Sequence, residues 1–112
     1  MLIAVKKLKS FEKLYLNAND IKGNEQIGNA FIECFSQCES LKEVRLSNNK
    51  LAEEGGIPLA KAIKLSKSLR VCHVSNNKLA SESAKEFGEM IKGNHALKDL
   101  DLSSNMIIME EL

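Results

Sequence analysis

Four side chains recur at one fixed place in a repeated pattern: Tyr15, Arg45, His73 and Asp101. Each lies between two apolar residues, the alternation of a short half-buried strand, so each faces solvent. Strands stacked side by side would set the four in one column, about 5 Å apart. An imidazole beside a carboxylate is the pairing of an oriented general base, so catalysis would be sought at His73 and Asp101. No serine, cysteine or metal ligand joins them in that column, and an open strand face excludes no water. Polar pairs across strands are expected on any solvated sheet. Tyrosine and arginine, however, are enriched among binding hot spots. With Arg70 at the edge of the sheet and Asp99 beside Asp101, the set Tyr15, Arg45, Arg70, His73, Asp99 and Asp101 reads as a partner-binding face with no catalytic residue.

Two other groupings could carry chemistry. Cys34 and Cys38 are one helical turn apart, but a zinc site needs further thiolates or imidazoles close by. Cys72 and His95 fall in other parts of the pattern. Cysteine often behaves as a small apolar residue, so Cys34 and Cys72 are expected in the core, and no metal or cofactor is expected. Lys61, Lys64 and Lys67 line one side of a helical segment. A nucleic-acid surface would interleave them with arginines and aromatics, which are missing here, so a solvated outer face is expected.

The elements that place these residues come from one motif, L-x-x-L-x-L-x-x-N-x-L, present at 11–21, 41–51, 69–79 and 97–107. The first copy is the loosest. The motif asparagines Asn19, Asn49, Asn77 and Asn105 are spaced by 30, 28 and 28 residues. A fixed period in this range is the mark of a leucine-rich repeat solenoid. In each copy the inward strand residues are Leu14 and Leu16, Val44 and Leu46, Cys72 and Val74, or Leu100 and Leu102. Each asparagine closes the turn after its strand, donating to and accepting from backbone groups the turn leaves unpaired. Stacked, the four form a structural ladder.

Helical periodicity fills the intervals. Ile27, Ala30, Phe31, Cys34 and Phe35 make one apolar stripe. Leu59 and Ile63 match Phe87 and Ile91, while the first repeat needs two extra residues, placed most simply in 21–25. Pro58 suits a first helical position, where its missing N–H has no partner. Ser83 and Glu86 have capping-box spacing. The expected fold is α/β: a horseshoe of four repeats of about 28 residues, parallel strands on the concave face and helices on the convex face, because packed helices need more width than paired strands.

Composition narrows the setting. A chain of 112 residues is one domain at most, 1–112, and 44% apolar content suits a globular fold. A formal charge of +1 gives no global field towards nucleic acid or membrane. No apolar run nears the roughly 20 residues that span a bilayer, and the N-terminus lacks the order of a secretory signal. Three cysteines make no disulfide framework, so a reduced cytoplasmic setting is expected. The frame places Met1 and Val5 mid-repeat and stops before a last helix, which suggests a piece of a longer array. Uncapped ends, with Phe11, Leu14 and Leu16 at one and Leu100, Leu102, Ile107 and Ile108 at the other, are expected to be exposed and to favour self-association.

The motif, its period and a full helix per repeat resemble the ribonuclease-inhibitor type of leucine-rich repeat, as in NOD-like receptors and Ran GTPase-activating protein. Ribonuclease inhibitor itself alternates two repeat types and is rich in cysteine, unlike this chain. The resemblance implies a non-enzymatic scaffold that binds a protein partner on its concave face. Regulation of a small GTPase, or a structural segment stacking on other repeats, are the alternatives it leaves. No stretch matches a catalytic loop of the GTPase activators.

Overall fold

A computed structural model of the chain describes residues 11–107. Strands β1 (Lys13–Tyr15), β2 (Glu43–Arg45), β3 (Val71–His73) and β4 (Asp99–Asp101) pair in parallel, in the order β1-β2-β3-β4. Parallel neighbours need a crossover connection. The crossovers are α1 (Glu25–Gln37), α2 (Ala52–Leu65) and α3 (Ser81–Gly93), which pack in sequence order as a second layer. Leu14 pairs with Val44, Val44 with Cys72, and Cys72 with Leu100. Between the layers lie Leu14, Leu16, Val44, Leu46, Cys72 and Val74 from the strands, and Phe31, Phe35, Leu59, Ile63, Phe87 and Met90 from the helices. All are buried.

The two ends differ. Leu14 and Leu16, expected to be exposed, are buried in the same cluster as Phe31 and Val44, and Phe11 is partly buried against it. At the other end Leu97, Leu100, Leu102 and Ile107 are only partly buried. Ile91, at the position that Phe35 and Ile63 hold in earlier coils, is 49% exposed because no further helix stands against it among the described residues. Ile108 lies outside the described residues.

Two local expectations are corrected. Pro58 sits well inside α2 rather than at its start. There it leaves the Glu54 carbonyl without its helical donor. Its ring packs on α1 at Gly28, where a Cβ would come within 2.7 Å of Pro58 Cγ. A side chain at position 28 is therefore excluded by the proline it faces. Secondly, Ser83 does not cap α3. It lies within the helix, whose N-cap is Ala80, and its hydroxyl donates to Glu53 Oε1 over 2.6 Å. The two extra residues of the first repeat do fall within 21–25: Ile21 N donates to Asn49 Oδ1 as Leu79 N does to Asn105 Oδ1, while the next helix caps, Asn24 and Ala80, are already back on the 28-residue period. They are Lys22 and Gly23, between the motif residue Ile21 and the N-cap Asn24.

Glu53 is the cap that Ser83 is not. Its carboxylate reaches across from α2 and accepts the backbone N–H groups of Ala80 and Glu82, each at 2.8 Å, and of Ser83 at 3.3 Å. These are the unpaired donors at a helix start, where a negative charge is also favoured by the dipole. Burial alone would raise the Glu53 pKa, but the bonds from the Ser83 hydroxyl and the three backbone N–H groups outweigh it and hold the carboxyl below its ordinary value.

The asparagine ladder runs along the other side of each strand. Asn49 Nδ2 donates to Leu16 O at 2.9 Å and to Leu46 O at 2.8 Å, so one amide joins two coils. Asn77 repeats this with Leu46 O and Val74 O, and Asn105 with Val74 O and Leu102 O. The amide oxygens accept in return: Asn49 Oδ1 from Asn19 N and Ile21 N, Asn77 Oδ1 from Leu51 N, and Asn105 Oδ1 from Asn77 N and Leu79 N. Asn19 is exposed, and its side-chain amide donates only to Asn17 O among the described residues. The residue before each ladder asparagine, Ala18, Asn48, Asn76 and Ser104, has left-handed φ between 52° and 60°. Asparagine tolerates that conformation best among non-glycine residues, which suits the two central coils.

Two stability experiments test this account. Asn77 is fully buried, so Asn77→Ala should cost roughly 1–3 kcal/mol by stranding backbone groups, and Asn77→Leu should do no better. Urea midpoints equal to the parent's would refute the ladder. Glu53→Ala should cost roughly 1–2 kcal/mol at neutral pH. A lowered folded pKa means that this support is present above the unfolded carboxylate value and lost as pH falls through the folded one. The gap between parent and variant should therefore close below about pH 4. A gap of constant size from neutral to acid pH would show that charge plays no part.

Candidate functional site

The strand face presents two columns of outward side chains. One is Lys13, Glu43, Val71 and Asp99, and the other is Tyr15, Arg45, His73 and Asp101. Period-two alternation sends both outward while Leu14, Val44, Cys72 and Leu100 turn in. Within this face the side chains fall into two clusters.

The first joins β1 and β2. Arg45 lies over the Tyr15 ring, with Cζ 4.9 Å from the ring centroid, a cation–π arrangement. Arg45 Nε donates to Glu43 Oε2 at 2.6 Å, on the same face as Tyr15. Glu43 thus holds Arg45 over the Tyr15 ring, and each group shifts the others. The hydrogen bond to Glu43 raises the Tyr15 pKa above its ordinary value, the bond from Tyr15 and then that from Arg45 lower Glu43, and Glu43 raises Arg45. Tyr15 remains 52% exposed. The result is an aromatic ring and a guanidinium fixed in one orientation and open to a partner.

The second cluster joins β3 and β4, and here a sequence expectation changes. His73 Nε2 lies 3.0 Å from Asp99 Oδ2, on the diagonal, rather than against Asp101 directly opposite. Asp101 is occupied locally: its Oδ1 accepts from Ser103 N at 2.9 Å and Ser103 Oγ at 2.6 Å, and these bonds lower its pKa. Among the described residues no serine or cysteine nucleophile shares the two outward columns with the His73–Asp99 pair. Arg70, before β3, folds back so that Nη1 donates to Ser68 O at 3.0 Å and Lys67 O at 3.4 Å. It belongs to the edge of the sheet rather than to either column.

Glu43 was missed from the sequence. Its signal was available, since a residue two before Arg45 on a strand must share its face. Cys34, Cys38 and Cys72 are all buried, Cys38 included. Burial pushes the Cys34 thiol up to about 11 and the Cys72 thiol up to about 12, so neither offers a thiolate at neutral pH. Among the described residues no group of three His, Cys, Asp or Glu side chains could hold a metal ion. Nor is any described helix long and apolar enough to cross a membrane.

Comparison with known proteins agrees with this architecture. A family model described as Leucine Rich repeat matches residues 37–60. No curated protein matches the sequence. Among solved structures, the actin-binding site 2 of leiomodin-1 superposes with a TM-score of 0.82 at 16% identity, over 98% of this chain and 65% of that one. The tropomodulin C-terminal domain of Caenorhabditis elegans superposes with a TM-score of 0.78 at 16% identity, over 93% of this chain and 65% of that one. The chain therefore spans about 65% of the length of these structures. Fold and motif together define a leucine-rich repeat architecture.

Tyr15 gives a direct test of the first cluster. It is the only tyrosine in a chain without tryptophan, so tyrosinate absorbance reports it alone. Glu43→Ala removes the acceptor that favours the neutral phenol, and the Tyr15 pKa should then fall towards 10. An unchanged titration curve would mean that Glu43 does not hold the ring.

Proposed function

We propose that this chain is a non-enzymatic protein-binding module of the ribonuclease-inhibitor type, a horseshoe of four repeats of about 28 residues working in the cytoplasm. Its partner lies on the concave strand face. The observation that carries this is the cluster of Tyr15, Arg45 and Glu43. Holding long side chains in advance lowers the ordering cost of association, and exposed Tyr and Arg are the types that anchor interfaces. The outer faces of the helices offer mostly Lys and Glu, which are depleted from interface centres.

Charge specifies the partner further. Arg45 beside Tyr15 calls for a carboxylate-bearing patch, and Asp99 with Asp101 calls for a basic patch on the β4 side. Leiomodin-1 uses a similar fold as an actin-binding site, which makes actin the first candidate to test. Nothing at the site favours regulation of a GTPase.

The experiment measures binding of actin, or of a partner recovered by affinity capture, to the parent and two variants. Arg45→Ala should weaken binding by about tenfold or more while leaving the melting temperature unchanged. Lys61→Ala, on the outer face of α2, should change neither. Weakening by Lys61→Ala with no effect of Arg45→Ala would place the partner on the helices.

A further inference from the structure

The charge of the chain is separated between its two loop edges. The return loops that carry each helix into the next strand span 36–42, 64–70 and 92–98. They hold Lys42, Lys64, Lys67, Arg70, Lys92 and Lys98 against a single acid, Glu39. The opposite edge, spanning 17–25, 47–54 and 75–82, holds Asp20, Glu25, Glu53, Glu54 and Glu82 against three lysines. A formal charge of +1 conceals this.

The return loops stack directly on one another. Ser40 Oγ donates to Phe11 O at 2.9 Å, Ser68 Oγ to Leu41 O at 2.7 Å, and Asn94 Nδ2 to Ile63 O at 2.7 Å and Ser66 O at 3.1 Å. Between them run two open grooves. One, of about 390 Å³, is lined by Phe35, Glu39, Lys42, Leu65 and Lys67. The other, of about 400 Å³, is lined by Lys64, Leu65, Lys67, Asn94 and His95. Leu65 stands between the two and is 54% exposed, an apolar side chain in a ring of cations.

Helix dipoles account for part of this charge, because a cation near a helix C-terminus is favoured. Lys64 and Lys92 occupy such last turns, yet α1 has no basic residue there, and Lys42 and Lys67 lie beyond the helices. Arg70 and Lys98 donate to loop carbonyls, and Lys92 pairs with Glu89. Lys42, Lys64 and Lys67 have no carboxylate partner among the described residues. Lys64 is also placed: its stem crosses the last turn of α3 at Gly93, where a Cβ would come within 2.9 Å of Lys64 Cε. A glycine at that position lets the ammonium reach the second groove.

We infer that this edge is a second docking surface, distinct from the strand face, for an acidic protein segment carrying one large apolar side chain. Lys42, Lys64 and Lys67 would receive its carboxylates, and its apolar residue would cover Leu65. An anionic nucleic acid fits less well. Its recognition as a single strand needs aromatic platforms, and Phe35, the one Phe, Tyr or Trp lining the grooves, is 2% exposed.

A fluorescently labelled peptide with a central leucine flanked by glutamates is the probe, titrated by anisotropy at low and at physiological salt. The charge reversal Lys64→Glu with Lys67→Glu should weaken binding by about tenfold or more, and Leu65→Ser by about fivefold. Lys61→Glu, a single charge reversal of the same kind on the outer face of α2, and Arg45→Ala should each change it by less than about twofold. All these side chains are partly or fully exposed, and melting curves verify that each variant folds. The milder pair Lys64→Gln with Lys67→Gln should act in the same direction. Equal weakening by Lys61→Glu would reduce the effect to a general field and overturn the site. So would full binding by Leu65→Ser, no binding at low salt, or tighter binding of polyuridylate than of the peptide.

Discussion

A strand of three residues followed by a sharp turn leaves backbone donors and acceptors facing the interior, and unpaired buried groups of that kind are costly. The asparagine amide resolves the problem in both directions at once. Its nitrogen serves carbonyls in its own coil and the preceding one, and its oxygen serves N–H groups of the preceding coil. A carboxylate at the same place could not donate, and an amide one methylene longer would need a different turn. Strand stacking, the left-handed residue before each asparagine and the depth of the core all follow from this one bond pattern. Its cost is dependence on neighbours, because each amide needs another coil to complete it.

That dependence recurs wherever one coil touches the next. Glu53 caps the helix after its own, Asn94 takes up carbonyls at the end of the helix before its own, and Ser40 and Ser68 each donate to the preceding coil. Among the described residues each helix contacts only its neighbouring helices, α1 to α2 and α2 to α3, as in any stack whose stability is a sum of units and nearest-neighbour interfaces. The half-exposed Ile91 and partly buried Leu100 show what a coil lacks when no neighbour covers it.

The features legible in the sequence were those that recur at the period. Motif leucines, ladder asparagines and helix stripes repeat, so coincidence was excluded by number. What was misread depends on partners a full repeat away. Ser83 and Glu86 have the spacing of a self-contained cap, but a carboxylate 30 residues earlier reaches the site first. Pro58 looked like a helix start because a proline inside a helix is disfavoured locally. Only Gly28 on the facing helix explains its place. His73 pairs on the diagonal because Ser103 already engages Asp101, a choice set by a side chain two residues on. The columns of the strand face were legible, whereas the pairings within them were not.

The two surfaces differ in the kind of recognition they can support. On the strand face Tyr15, Arg45 and Glu43 satisfy one another, so a partner meets fixed geometry and gains little from charge alone. Specificity there comes from shape and from the orientation of a planar guanidinium. On the return-loop edge Lys42, Lys64 and Lys67 have no carboxylate among the described residues. Their ammonium groups sit on flexible stems, which favours attraction and rapid encounter over exact fit. Leu65 supplies the one feature on that edge that a diffuse field does not have. A module with both surfaces can gather an acidic chain at one edge while its strand face stays free for a structured partner.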